Sequence, residues 1–418
     1  MLANLLYAIW PYQIFKSVFF RGGLAFLTTY FIIVVAMPPL IRRLRQRGIS
    51  GDFGANSTAN KPYLGGKPIM GGGLLIAGIV VAAALWMEWN QFLVALVMIL
   101  LSFAAIGAWD DIAKIRHRRR VELGQAQKAS YSDKADGASG WIRLSMEIGV
   151  AFVVVSVLYR YFTIDGHLVV PFIPLKWWYP YLPRYLFIPF MVFIIVAGAN
   201  AVNLTDGMDS LATVPILTCT LFVAAAAYVG SDVEWATRLR LPLLPPQLKE
   251  VVVMSAAILA AGLAFLRFNA PPAMITLGDT GALALGSTFS AMFIFAKVEL
   301  FLPIVGGVFV LTTLSTIIQR LYFKLMVRWK GREEAKRQRF FYRAPYHHHL
   351  QAVWQFSEEK REITSVWERW LRKIGVRGPT PEDQLLRSED VNSRVIWRIH
   401  MLSIWLVVVG LVIYFKVR

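Results

Sequence analysis

Ten apolar runs constrain what this chain can become. They lie near 22–41, 69–87, 91–109, 144–161, 184–205, 211–230, 250–267, 281–297, 300–322 and 397–415 of the 418 residues. Each holds about 17–22 mostly apolar residues, enough for a helix to cross a hydrocarbon layer roughly 30 Å thick. None alternates with period two, as a membrane β-barrel strand would. Mean hydropathy is +0.52, well above that of an ordinary soluble domain. The expected fold is an all-α polytopic membrane protein of about ten transmembrane helices. No cleavage site follows the first run, so it belongs to the structure.

Lysine and arginine set the expected orientation. The loops after runs one, three, five, seven and nine share one side of the membrane. They hold Arg42, Arg43, Arg45 and Arg47, then Lys114, Arg116 and Arg118 to Arg120, then the basic region from Lys324 to Arg394. That side is therefore cytoplasmic, and both termini lie outside. The net charge of +18 sits in these loops. No nucleic-acid motif accompanies it, so solvated or lipid-facing loops explain it and nucleic acid is excluded as a partner. The lone Cys219 rules out an intramolecular disulfide and a cysteine-cluster metal site. It reads as a small buried hydrophobe.

Three segments outside the runs stand apart. Leu168 to Pro183 is rich in Trp, Tyr and Pro, which suits an interfacial or re-entrant hairpin or a plain outer loop. Val121 to Gly140 reads as a polar cytoplasmic loop. Ser357 to Val376 places Ile363, Val366, Trp367, Trp370, Leu371 and Ile374 at helical spacing, with acids first and bases last. This amphipathic helix lies on the membrane or packs on the protein, and carries no evident chemistry.

The polar motifs all fall on the expected cytoplasmic side. They are Gly65-Gly-Lys-Pro-Ile-Met-Gly-Gly72, Trp109-Asp-Asp-Ile-Ala-Lys114, Asn200-Ala-Val-Asn-Leu-Thr-Asp-Gly-Met-Asp209, Leu277-Gly-Asp-Thr-Gly281 and Ala344-Pro-Tyr-His-His-His349, with Asn269 just before the fourth. One site built from five loops accounts for that sorting. Polar groups at the mouth of a membrane helix are costly unless they line water or bind something. Asn203 and Asp206 share a helical face, and Gly207 can break the turn and re-aim Asp209. A polar cap between helices is the alternative for this stretch. Asp110 and Asp111 point about 100° apart on a helix, so one can face a pocket while the other orients a neighbour. Asp110 and Lys114 also have the spacing of a surface ion pair. Asp279 lies between glycines, where a phosphate or metal could approach the backbone, or where an N-terminal cap could sit. Three consecutive histidines cannot share one face, so they suit phosphate or nucleotide contacts better than a single metal. Hard oxygen ligands favour Mg²⁺ over zinc, and acids with bases at a membrane surface suit phosphoryl transfer.

Taken together, the motifs resemble those of the phospho-N-acetylmuramoyl-pentapeptide transferases. These belong to the polyprenyl-phosphate N-acetylhexosamine-1-phosphate transferase superfamily. Asn200 to Gly207, Gly278 to Gly286 and Pro345 to His349 carry the resemblance, which spans nearly the whole chain. It implies one transmembrane transferase domain over 1–418 in the bacterial cytoplasmic (inner) membrane, with a homodimer common in the family. It implies that undecaprenyl phosphate attacks UDP-N-acetylmuramoyl-pentapeptide, giving lipid I and UMP. By the same resemblance Asp279 matches the Mg²⁺ ligand, with Asn203 on the metal side. Asp110 matches the proposed base, with Asp111 beside it. Asp206 and Asp209 match substrate- and metal-side groups. Lys114, His347, His348 and His349 match phosphate- and nucleotide-side groups, and Asn269 and Gln319 match other pocket positions. A phosphate monoester has its second pKa at about 6, so Asp110 can serve in positioning as well as in proton removal. A covalent aspartyl route is the rival mechanism.

The chain departs from the family pattern at several points. Lys67 stands where a Thr is usual, and Thr276 where an aromatic is usual. Ala282 replaces Ser, Thr312 and Gln351 replace Glu, and Arg143 replaces Lys. About 40 extra residues, 352–393, form an inserted cytoplasmic segment. These departures leave two further readings: a silent paralogue that binds the lipid carrier or scaffolds cell-wall enzymes, and a transferase for another UDP-sugar.

Overall fold

The computed structural model describes residues 2–51, 67–122, 140–161, 166–355, 364–374 and 391–416. Its helices, in chain order, are α1 (Leu2–Ile9), α2 (Val18–Gln46), α3 (Gly72–Trp86), α4 (Gln91–Glu122), α5 (Gly140–Tyr161), α6 (Arg184–Thr205), α7 (Thr213–Gly230) and α8 (Val233–Arg238). They continue with α9 (Glu250–Asn269), α10 (Gly278–Phe295), α11 (Leu302–Val305), α12 (Gly307–Lys330), α13 (Arg332–Arg337), α14 (Tyr346–Gln355), α15 (Val366–Lys373) and α16 (Val391–Lys416). Among the described residues, strands are confined to two-residue ladders. Ser50–Gly51 pairs with Lys67–Pro68, and Gln338–Arg339 with Thr364–Ser365.

All ten apolar runs are helical, and among the described residues eight helices are long and apolar enough to cross a membrane. The other two runs, α3 and α10, explain themselves. α3 has 15 residues, about 22 Å of helix. α10 is an internal pillar: every residue from Asp279 to Phe295 is buried. It has no lipid face, so it tolerates Thr280, Ser287, Thr288 and Ser290. The hydroxyls of Thr288 and Ser290 donate to carbonyls one turn back, at 2.7 and 2.8 Å. That satisfies them where water is absent. α3, α4, α6 and α7 surround this pillar. The lipid face lies elsewhere, as on α2, where Phe19, Leu27, Phe31 and Val35 are exposed. Cys219 is free and buried in α7, as expected of a small hydrophobe.

Leu168 to Pro183 forms a closed hairpin-like loop without a helix. The Leu168 N–H donates to Pro180 O at 2.9 Å, and Trp177 and Trp178 are exposed. α4 runs on through Glu122, and the rest of the expected polar loop, 123–139, lies outside the described residues. Of the amphipathic helix expected over Ser357 to Val376, the described part is α15, with 357–363 and 375–376 outside. This part packs on the protein. Trp367 contacts Phe340 and Phe341, and its N–H donates to Phe340 O at 3.0 Å. Most of the extra segment 352–393 lies outside the described residues.

Candidate active site

The ends of α4, α6 and α9 and the starts of α5 and α10 meet at one end of the bundle. Lys114 Nζ lies 3.1 Å from Asp110 Oδ2 and 2.7 Å from Asp279 Oδ2. Arg143 Nη1 lies 3.0 and 3.3 Å from the same two atoms. Two cations thus bridge two buried carboxylates. The i,i+4 pair of Asp110 and Lys114 exists, but as part of this square and not as a surface pair. The acids lie underneath, at 3% and 12% side-chain exposure, while Lys114 and Arg143 keep 30% and 23%. An incoming phosphate therefore meets cations first, as charge-assisted binding requires.

Arg143 is itself held. Its Nε lies 3.5 Å from Glu147 Oε1, and its Nη2 donates to Asn200 Oδ1 at 3.4 Å. The Asn200 amide donates to Glu147 and to Val196 O. Glu147 is fully buried on α5 and was not singled out from the sequence. The signal was present: an ionisable residue inside an apolar run, four after an arginine.

Asp111 faces away from this square and serves α10. Its carboxylate accepts from the Asp279 N–H at 3.2 Å, the Thr280 N–H at 3.0 Å and the Thr280 hydroxyl at 2.6 Å. The first N–H groups of a helix have no partner of their own, and a carboxylate there also meets the positive end of the dipole. α10 has no capping side chain at its own start, so α4 supplies one. Asp279 is consequently not a cap, and its carboxylate is directed at the cations. Gly278 turns into the helix at φ +76°, and a side chain at Gly107 of α4 would strike the Asp279 carbonyl. Both glycines allow α10 to begin tight against α4.

Asp206 caps the end of α6 beyond Thr205. Removal from water, then the charge of Asp279, pushes its carboxyl well above the usual range. Asp111 and Asp209 add to this, and the Gly278 N–H opposes it. Asn203, three residues earlier on α6, is half-buried. Asp209 is committed elsewhere. Lys67 Nζ reaches both its oxygens, at 2.7 and 2.6 Å, and the Ala273 N–H donates to it at 3.0 Å. Gly207 does not re-aim the chain by a left-handed turn, since the positive φ falls on Ser210, at 56°. Gly207 is needed for close approach: a Cβ there would lie 2.8 Å from His347 Nε2.

The three histidines of α14 do not share one face: the rings of His347 and His348 lie together, 4.3 Å between centroids, while His349 turns away among aromatic rings. His347 lies over Gly207, buried, with both ring nitrogens lacking a partner among the described residues. Burial, helped by neighbouring His348, holds its pKa well below the usual value. His348 is likewise lowered by burial, against a 2.6 Å contact from its Nδ1 to Gln351 Oε1. Both are neutral at physiological pH. His349 is boxed by Phe341, Tyr342 and Tyr346. Its Nδ1 accepts from the Tyr342 N–H at 3.2 Å, and its Nε2 lies 3.2 Å from Glu368 Oε1 of α15. The extra segment, in which the sequence showed no chemistry, thus supplies a partner to the triplet.

Asn269 and Gln319 sit beside the site and use their polar atoms on the scaffold. Asn269 accepts from the Ser210 N–H at 2.9 Å and donates to Ile275 O at 2.9 Å. Gln319 accepts from the Phe341 N–H at 2.8 Å. Thr276 is tied to Pro68 O through its N–H at 2.9 Å and is part of the loop frame. Thr312 hydrogen-bonds within α12.

No three His, Cys, Asp or Glu groups converge as a metal cage among the described residues. Mg²⁺ does not require one, since it is usually held by one or two carboxylates plus substrate phosphates. Asp279 and Asp206, near enough for the charge of one to act on the other, offer carboxylates of that kind.

Residues 92–297 match the family described as glycosyl transferase family 4. A phospho-N-acetylmuramoyl-pentapeptide-transferase of Bartonella quintana (strain Toulouse) is 36% identical over 347 residues, covering 81% of this chain and 87% of that one. One of Desulfovibrio desulfuricans (strain ATCC 27774 / DSM 6949 / MB) is 34% identical over 346 residues, with the same shares covered. The matched span holds Asp110, Asp111, Lys114, Arg143, Asn203, Asp206 and Asp279 together, and the chain therefore belongs to the phospho-N-acetylmuramoyl-pentapeptide transferase family within glycosyl transferase family 4.

Proposed function

We propose that the chain transfers phospho-N-acetylmuramoyl-pentapeptide from its UDP derivative to undecaprenyl phosphate in the bacterial cytoplasmic membrane. A phosphate oxygen of the lipid attacks the sugar-linked phosphorus. The bond to the UMP oxygen breaks, and lipid I and UMP result. The observation that carries this reading is the pair of cations, Lys114 and Arg143, bridging Asp110 and Asp279. Phosphoryl transfer needs mainly positioning and charge neutralisation, and this arrangement offers both.

The geometry supports a role for each residue in this reading. Lys114 and Arg143 receive phosphate oxygens from their more exposed side. Asp110 keeps the two cations in place and orients the lipid phosphate. Since the second pKa of a phosphate monoester is about 6, proton removal is a minor task near pH 7. Asp111 fixes the start of α10 and, through it, Asp279. His347 and His348, both neutral, offer hydrogen bonds to the donor substrate without adding charge. Asp279, with Asp206 and Asn203, would hold Mg²⁺, which when bound neutralises charge on the diphosphate. Residues 1–418 act as one transferase domain.

UMP release tests the reading. Purified protein in detergent with Mg²⁺ and undecaprenyl phosphate should release UMP from UDP-N-acetylmuramoyl-pentapeptide and not from UDP-N-acetylglucosamine. Release from the second donor would move the chain to another branch of the superfamily. No release from folded protein with either donor would favour a silent lipid-carrier-binding paralogue.

A further inference from the structure

A cavity of about 660 Å³ opens at the other end of the bundle. The helices fix its depth. α9 starts at Glu250 in the cavity wall and ends at Asn269 beside the aspartates. Its 20 residues span about 30 Å, the thickness of a hydrocarbon layer. α4 likewise starts just after Asn90 of the wall and reaches Asp110. The cavity therefore lies at the headgroup level of the opposite leaflet.

Its floor is a buried ion pair. Arg21 Nη2 lies 2.6 Å from Glu250 Oε1, Arg21 Nη1 donates to Glu250 Oε2 at 2.9 Å, and the Glu88 N–H adds a third contact at 2.9 Å. Arg21 is 2% exposed and Glu250 4%, and the buried Arg21 Nε has no partner among the described residues. Burying a charged pair is expensive even where the partners are well hydrogen-bonded. Its charges cancel, so the mouth decides what binds. The mouth presents Lys16 and Lys249 against Glu88, which is 49% exposed. Lys16 Nζ rests 3.8 Å from the Tyr7 ring, and Lys249 Nζ stands 3.7 Å from Asp232. Among the described residues neither ammonium has an ion-pair contact shorter than the 3.7 Å from Lys249 to Asp232. Exposed Phe19 and Trp89 line the same opening. Aromatics with flexible ammonium groups characterise a headgroup layer.

We propose that this cavity binds the phosphodiester headgroup of a membrane phospholipid, with Lys16 and Lys249 on the phosphate. An ethanolamine headgroup gains a further contact, its ammonium on Glu88. The site is separate from the reacting end and does not depend on the transferase reading.

Native mass spectrometry of the full chain in detergent tests this. Phosphatidylethanolamine and phosphatidylglycerol are titrated beside diacylglycerol and inorganic phosphate, with the parent and a Lys16→Gln/Lys249→Gln variant. Each lysine near an anionic headgroup is worth about fivefold in affinity, so the variant should lose one phospholipid adduct, with binding roughly 30-fold weaker. Glu88→Gln should weaken phosphatidylethanolamine only. Unchanged UMP release and thermal unfolding would show that the variants are folded. Equal occupancy by diacylglycerol, an adduct count unchanged in the lysine variant, or inorganic phosphate displacing the lipid as an adventitious ion would overturn the proposal. So would a loss of dimer in place of a loss of lipid, which would make the cavity a contact with a second copy.

Discussion

Asp110 and Asp111 are neighbours with opposite duties, and replacing each by asparagine should separate them. Asp111 accepts three hydrogen bonds at the start of α10, at 3.2, 3.0 and 2.6 Å. Asn keeps one acceptor oxygen and turns an amide N–H₂ toward donors. The loss combines about one charge-assisted hydrogen bond with the dipole contribution, or roughly 2–4 kcal/mol. Over a chain of this length that lowers the unfolding midpoint by about 2–4 °C. The Asp279 N–H loses its anchor as well, and a displacement of about 1 Å at the reacting centre lowers kcat by roughly 100-fold. In Asp110→Asn, Lys114 and Arg143 remain paired with Asp279. Its midpoint should stay within about 1 °C while UMP release falls by at least about 100-fold. The assays are tryptophan-fluorescence unfolding in detergent and UMP release. An Asp111→Asn protein of parental stability beside a destabilised Asp110→Asn protein would refute the assignment.

Three further outcomes follow from buried contacts. Glu147→Ala leaves the Asn200 amide with Val196 O alone and Arg143 with Asp110 and Asp279, and should cost about 1–3 kcal/mol in thermal unfolding. Glu147→Gln, which keeps an acceptor for Asn200, should cost much less. Glu368→Ala strands His349 Nε2 inside its aromatic box, a penalty of about 1–3 kcal/mol. Amide exchange should then quicken in 364–374 while the α4–α10 contact stays protected. Asp206 holds its proton to higher pH when folded than when unfolded, where release occurs near pH 4, so this contribution is full below about pH 4 and is lost as pH rises through the folded value. Asp206→Asn lacks that loss, and in EDTA its midpoint relative to the parent should rise as pH increases above about 4.

Much of this was legible in the sequence because membrane helices must satisfy their backbone internally and must be apolar outside. The ten runs, and the convergence of Asp110, Lys114, Asp206, Asp279 and the histidines, follow from that constraint and from charge placement. What sequence could not resolve is direction. Adjacent Asp110 and Asp111 look alike in one dimension, yet one meets cations and the other caps a helix 168 residues away. α10 reads as one more apolar run, because being enclosed by protein and being enclosed by lipid favour similar residues. Gly207 reads as a turn residue, while its role is to admit His347. Glu368 lies in a segment with no motif, and its meeting with His349 is a product of tertiary packing alone.

The most direct test of the central claim is lipid I formation by Asp279→Asn protein, followed by mass spectrometry of the lipid product. The parent protein, with Mg²⁺, undecaprenyl phosphate and UDP-N-acetylmuramoyl-pentapeptide, should form lipid I. The variant should unfold within a few degrees of the parent and form at least about 1,000-fold less, because Asp279 is where Lys114, Arg143 and the start of α10 converge. Lipid I formation at a parental rate by the variant would contradict the account, whatever the other residues do.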